Sequence, residues 1–122
     1  MVDTMALLER FAAAWNAHDT DALMDCMTDD CVFYSAAGQG RRGTEHRGRV
    51  AVREAYAAIW KAYPDAAWND ARHFVAGDRA VSEWVFTGTA ANGKRVQVNG
   101  CDVFVIRGGK IAVKDSFRKQ HQ

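Results

Sequence analysis

Two acids near the end of the chain carry the clearest chemical signal. The pair Gly108-Gly109 separates two runs rich in β-branched and aromatic residues. A two-residue hairpin loop there pairs Arg107 with Lys110, Ile106 with Ile111 and Phe104 with Val113, and so sets Asp102 opposite Asp115. Side chains alternate across a strand, so Val96, Val98, Gly100, Asp102, Phe104 and Ile106 share one face. Ile111, Val113, Asp115 and Phe117 share the matching face of the next strand. Two carboxylates facing each other among apolar side chains cannot both ionise cheaply, and at least one is expected to hold its proton to unusually high pH. With Asp115 as the ionised base and Asp102 as a protonated hydrogen-bond donor, such a pair suits proton abstraction next to a carbonyl. Isomerisation, cyclisation and dehydration share that step. The two acids can also exchange these roles, because a coupled pair titrates as a unit.

A second turn, Asn92-Gly93, extends the face. A two-residue loop there brings Glu83 opposite Asp102, whereas a slip of one residue substitutes Trp84. The competing reading makes this face solvent-exposed at its open end, with the acids salt-bridged to Lys114, Lys119 or Arg118 and nothing more. The surrounding apolar row argues against it, since a solvated strand face alternates towards polar residues. Cys101, Val103 and Val105 on the opposite face are apolar too, which points to a strand covered on both sides and to a homodimer through the sheet.

The elements that must hold these residues follow from periodicity. Leu7, Leu8, Phe11, Ala14 and Trp15 recur at helical spacing, predicting an amphipathic helix that ends near Asn16 to His18. Asp19 or Thr20 then caps a second helix over about Asp21 to Met27, stopped by the turn-prone Thr28-Asp29-Asp30. Cys31 to Tyr34 reads as a short strand, Ser35 to Gly48 as a loop, and Val50 to Tyr63 as a third helix ended by Pro64-Asp65. Four strands follow, over roughly Trp68–Val75, Arg79–Thr89, Lys94–Arg107 and Lys110–Lys119. Helices first and an antiparallel meander afterwards make an α+β domain, its helices on one face of the sheet around a pocket. The helical spacing places Trp15, Tyr56 and Trp60, with Tyr34 from the first strand, as candidate lining beside Glu83, Phe104 and Phe117.

Size and composition bound the rest. At 122 residues and 48% hydrophobic content the chain fits one domain, 1–122, with one core. Its net charge of +1 gives no field to favour nucleic acid, and no apolar run approaches the roughly 20 residues of a membrane span. The start, MVDTMALLERFAAAW, lacks the pattern of a secretory signal, so a cytoplasmic location is expected. Cys26, Cys31 and Cys101 are odd in number and lack zinc-site spacing, reading as buried thiols. His18 and His73 have no evident partner at ligand spacing, and neither a metal nor another cofactor is expected. Arg41, Arg42, Arg47, Arg49 and Arg53, with His46, run into a helix start and read first as a solvated loop, second as a hold for an anionic group. The expected partner is an apolar small molecule.

The segments FAAAWNAHDTDALMDCMTDDCVFY, HRGRVAVREAYAAIW, PDAAWND, GDRAVSEWVFTGT and GCDVFVIRGGKI resemble, in order and over nearly the whole chain, the nuclear-transport-factor-2-like superfamily. The SnoaL-like and ketosteroid-isomerase-like branch is the most similar. The resemblance implies a cone-shaped, cystatin-like fold, three helices against a strongly bent sheet, a deep apolar pocket and commonly a dimer. The steroid isomerases of this superfamily use an Asp base, and an oxyanion hole of a Tyr and a protonated Asp. Asp102, in GCDVF, matches that protonated Asp, whereas Phe11 stands at the Tyr position and Ser35 at the base position. The acid of the polyketide cyclases falls near Lys119. Of the Arg-Asp and Asp set of the epoxide hydrolases, only the final part resembles Lys114-Asp115. The resemblance therefore implies an isomerase- or cyclase-like protein lacking the standard Tyr and Asp base, with a non-catalytic ligand-binding or dimeric assembly module as the alternative.

Overall fold

The computed structural model describes residues 3–120, and within them the first two helices each begin at an aspartate cap. Asp3 accepts a hydrogen bond from the Ala6 amide (3.2 Å) and starts α1, Thr4–Asn16. Asp19 does the same for Ala22 (3.1 Å) and starts α2, Thr20–Asp25. The third helix, α3, spans Arg49–Ala62. The apolar stripe of α1, namely Leu7, Leu8, Phe11, Ala14 and Trp15, is buried together with Val52 and Tyr56 of α3. Both stripes close on Phe33, Ala80, Phe104 and Ile111 of the sheet, so all three helices share one layer.

Six strands form the other layer: β1 Met27–Tyr34, β2 Glu45–Arg47, β3 Ala67–Ala76, β4 Arg79–Thr89, β5 Arg95–Arg107 and β6 Lys110–Arg118, in the order β2-β1-β6-β5-β4-β3. The first strand starts at Met27, where the sequence reading placed a helix end and a turn, and β2 lies inside the expected loop. A further correction concerns direction. β1 runs parallel to β6, so the sheet is mixed rather than wholly antiparallel. A long connection through β2, α3 and three strands separates the two, and no hairpin forces them to oppose. Asn16 fastens α1 to β3 by donating to the Trp68 carbonyl (3.0 Å) and accepting from its amide (2.8 Å).

Register is where the chemistry changes. The Gly108-Gly109 turn pairs Arg107 with Lys110 and Ile106 with Ile111 as its length dictates, but the ladder then skips Ala112 and resumes at Val105 with Val113. One extra residue in β6 makes this a β-bulge, and beyond it every partner has moved by one. Asp102 consequently faces Ser116, and Asp115 faces Val103. At the other turn the Ala90 amide bonds the Lys94 carbonyl (2.9 Å) around Ala91-Asn92-Gly93, with Gly93 at φ 82°. A three-residue loop of this kind, closed by a left-handed glycine, shifts the pairing by one relative to a two-residue turn. Glu83 therefore opposes Cys101, while Ser82 opposes Asp102.

Candidate active site

These shifts sort the expected site residues onto two faces. Toward the helices point Ser82 and Trp84 of β4, Asp102 and Phe104 of β5, and Lys114 of β6; Ser82, Asp102 and Lys114 are the buried polar or charged residues of the described chain. Away from the helices lie Glu83, Cys101, Asp115 and Phe117. The facing Asp102–Asp115 pair does not form, because the Ala112 bulge turns Asp115 to the outer face. Glu83 leaves the expected cluster for the corresponding reason at the Asn92-Gly93 loop. Tyr34, aligned with Asp115 in the β1–β6 ladder, also faces outward, where the Arg42 guanidinium covers its ring at 3.9 Å. Phe117 is 51% exposed there. Trp15, Tyr56, Trp60 and Phe104 do lie inside: the Trp15 ring packs against Tyr56 at 4.6 Å and Trp60 at 5.4 Å, and Phe104 against Phe11 at 5.9 Å.

Asp102, 5% exposed, is held by three donors. The Trp84 indole N–H donates to Oδ2 (3.0 Å), the Ser116 hydroxyl donates to Oδ1 (2.6 Å), and the Lys114 Nζ stands 3.4 Å from Oδ1. Lys114 in turn donates to Ser116 Oγ (2.8 Å), closing a Lys–Ser–Asp triangle. All three partners are donors, so the Asp102 oxygens act here as acceptors. Trp84 reaches it because Gly100, its neighbour across the ladder, has no side chain: a Cβ there would come within 2.4 Å of the Trp84 ring edge.

The lysine is the residue that sequence reasoning undervalued. Lys114 is 4% exposed and its ammonium sits 4.3 Å from the Phe33 ring centroid, 5.0 Å from Trp15 and 5.2 Å from Tyr56. Burial pulls its pKa below the usual lysine value, and the Asp102 carboxylate opposes that fall. Ion pairing and cation–π contact compensate a charge that would otherwise be too costly to bury. The competing reading of the sequence paired these acids with Lys114 on a solvent-exposed face; the Asp102–Lys114 pair forms, but as the polar centre of the core. Its only sequence signal is a lysine inside an apolar alternation, and no pattern marks the bulge that turns it inward.

Beside this centre, between α1 and the sheet, lies a void of about 20 Å³ bordered by Asp102, Trp84, Trp15, Phe104, Ser82 and His73. That is room for roughly one water-sized group. His73 Nδ1 and Ser82 Oγ are 2.7 Å apart, and burial lowers the His73 pKa. On the outer face, a larger open groove of about 1080 Å³ runs beneath the 35–43 loop and includes Asp115, Glu83, Cys101, Phe117 and Arg42. Partial burial raises the Asp115 pKa, with Arg42 acting against the rise. Ser35 borders this groove, its hydroxyl donating to the Ala37 carbonyl (2.8 Å). Among the described residues no cluster of three His, Cys, Asp or Glu side chains is placed to hold a metal, and no helix is long and apolar enough to cross a membrane.

This layout of helices on a six-stranded sheet has relatives. The SnoaL-like domain family matches residues 8–114. The chain belongs to that family. Among solved structures it is similar to a protein of unknown function with a cystatin-like fold from Xanthomonas campestris, at 21% identity and TM-score 0.85, covering 98% of this chain and 92% of that one. A nuclear-transport-factor-2-like protein of unknown function from Mesorhizobium loti is 28% identical, with TM-score 0.78 and coverage of 96% and 91%. A putative polyketide cyclase from Xanthomonas campestris pv. campestris is 21% identical, with TM-score 0.81 and coverage of 93% and 88%. No curated protein matches the chain. The α+β, cystatin-like fold is thus shared with these solved structures.

Proposed function

We propose that this SnoaL-like chain is an isomerase- or cyclase-type enzyme that takes a proton from the carbon next to a carbonyl of a small, largely apolar molecule, with Asp102 as the acid–base group. The observation that carries the reading is a buried carboxylate on the wall of a void otherwise lined mainly by aromatic rings. An ionised carboxylate offers about four acceptor positions, and Trp84, Ser116 and Lys114 occupy three of them. One is left to receive a proton. Lys114 stands beside the carboxylate as its counter-charge, and Asp115 has no part in the step.

The test is hydrogen–deuterium exchange at the α-carbons of acetone and cyclohexanone in D₂O, followed by NMR. Exchange above the buffer rate is expected with the native chain and with Asp115→Asn, and is expected to vanish in Asp102→Asn. Exchange that survives Asp102→Asn refutes the assignment. The alternative of a non-catalytic ligand binder wins if cyclohexanone binds without any exchange. The same reading includes a homodimer through the outer sheet face, supported by the half-buried row Val81, Val103, Val105 and Val113 and by Phe74, 52% exposed, beside it.

A further inference from the structure

The arginines of the 41–53 run divide into two groups. Arg47 pairs with Glu45 and Arg53 with Asp21, while Arg49 donates to the Met24 and Met27 carbonyls (3.0 and 3.2 Å). Arg41 and Arg42 have no carboxylate within 4 Å among the described residues, and both border the outer groove. Glu45 lies near them in sequence, but Arg47 already holds both of its oxygens (2.8 and 3.1 Å). The loop that carries the two free arginines is closed on itself. The Ser35 amide donates to the Thr44 carbonyl, the Thr44 amide to the Ala37 carbonyl and the Gly43 amide to the Gly40 carbonyl, each at 3.0 Å. Gly43 sits at φ 73°, where a Cβ would run into the Ser35 carbonyl. The wall of the groove is therefore shaped before any ligand arrives, which spares part of the ordering cost of binding.

Arg72, Arg118 and Lys119 bring three more cations to the same groove, against the acids Asp70, Glu83 and Asp115. Five against three leaves two positive charges unmatched. Two of the guanidiniums rest on aromatic rings, Arg42 over Tyr34 at 3.9 Å and Arg118 over Phe86 at 4.5 Å. Such a contact holds a guanidinium in place and leaves its N–H fork open to a carboxylate. The floor of the groove is apolar at Phe117, which is 51% exposed and lies opposite Cys101 in the ladder. At about 1080 Å³ the groove is large enough for a small organic molecule, whose sites run from roughly 300 to 1,000 Å³. We infer that the outer groove is a ligand site for a small aromatic carboxylate, its anionic end forked by Arg42 with Arg41 beside it and its ring lying on Phe117. Inorganic phosphate has no apolar body to cover Phe117, and its extra charge falls beside Asp115. The site is separate from the inner void and does not depend on the reading of Asp102 as a base. The valine row of the same face lies nearer the Gly108-Gly109 turn, through Val103, Val105 and Val113, than the groove floor at Cys101 and Phe117.

Titration of 1-naphthoate into the native, ¹⁵N-labelled chain tests this by NMR. Saturable shifts are expected at the amide signals of Arg42, Cys101 and Phe117, while the uncharged 1-naphthamide, of the same shape, and inorganic phosphate leave them in place at equal concentration. Arg42→Gln is expected to weaken 1-naphthoate binding roughly tenfold or more, the scale of one charge-assisted hydrogen bond. Arg53→Gln removes the same charge outside the groove and is expected to leave the affinity unchanged. Equal weakening by the two variants would reduce the effect to the overall charge of the chain and overturn the inference. So would naphthamide or phosphate binding at these residues as tightly as naphthoate, or the absence of any saturable shift. If the Cys101 and Phe117 signals move on dilution of the protein and not with naphthoate, the groove is a contact between two copies, and the ligand site falls.

Discussion

At the scale of single residues, the core is organised by one ion pair, and its energetics are asymmetric. Removing one partner of a buried pair leaves the other charge uncompensated, at a cost of about 3–5 kcal/mol. Lys114→Met should therefore lower the unfolding free energy by that order in urea titration. The double variant Lys114→Met with Asp102→Asn should recover much of the loss, because no bare charge remains. A second residue-level consequence concerns pH. Burial keeps the His73 pKa below the ordinary histidine value of 6.5, with Glu9 partly opposing the shift. Just below pH 6.5 the unfolded chain then binds a proton that the folded chain refuses, so stability falls as pH drops through that window. Thermal unfolding between pH 7 and 5.5 should show this slope in the native chain and a flatter one in His73→Gln. Asp102 was legible in the sequence as a buried acid because apolar neighbours flank it at alternate positions. Its partners were not: Ser116 and Lys114 reach it only through a backbone irregularity that leaves no mark in residue type.

At the scale of elements, the helices could be read closely. Asp19, the Leu7–Trp15 stripe and the Pro64 stop each act locally, within one or two turns of chain. Strand pairing is not local, and a one-residue error in it exchanges the two faces of a strand. Both hairpins turn on such a one-residue step. The Gly108-Gly109 turn is indeed two residues long, but the Ala112 bulge follows it and turns Asp115 away; the Asn92-Gly93 turn is three residues long, which is the slip the sequence left open as the alternative with Trp84 on the Asp102 face. The parallel β1–β6 contact was hidden for a related reason, since no turn joins those strands. Packing across the ladder gives a check on the β4–β5 register. Gly100 makes room for the Trp84 ring, so Gly100→Ala must push that ring aside and break its bond to Asp102. A loss of about 1–3 kcal/mol is expected from the overpacking, together with a changed Trp84 indole proton signal. A silent substitution would show that the ring does not lie across β5.

At the scale of the whole molecule, the sheet has two working surfaces of opposite character. The inner one holds the ion pair and the aromatic core. The outer one carries a row of valines, the open groove under the 35–43 loop and two exposed phenylalanines, Phe74 and Phe117. If that surface joins two copies, Val103→Lys should yield monomers in sedimentation under conditions where the native chain is a dimer. A native chain that sediments as a monomer at every concentration overturns the interface. The Ala112 bulge also bears on how this chain is compared with its kin. A relative lacking that one residue would carry its Asp115 equivalent indoors and its Lys114 equivalent outdoors while matching this sequence almost letter for letter. Inheritance of chemistry along this strand therefore follows insertions and deletions rather than substitutions, and a single misplaced gap in an alignment would pass the role of a buried cation to an acid on the far side of the sheet.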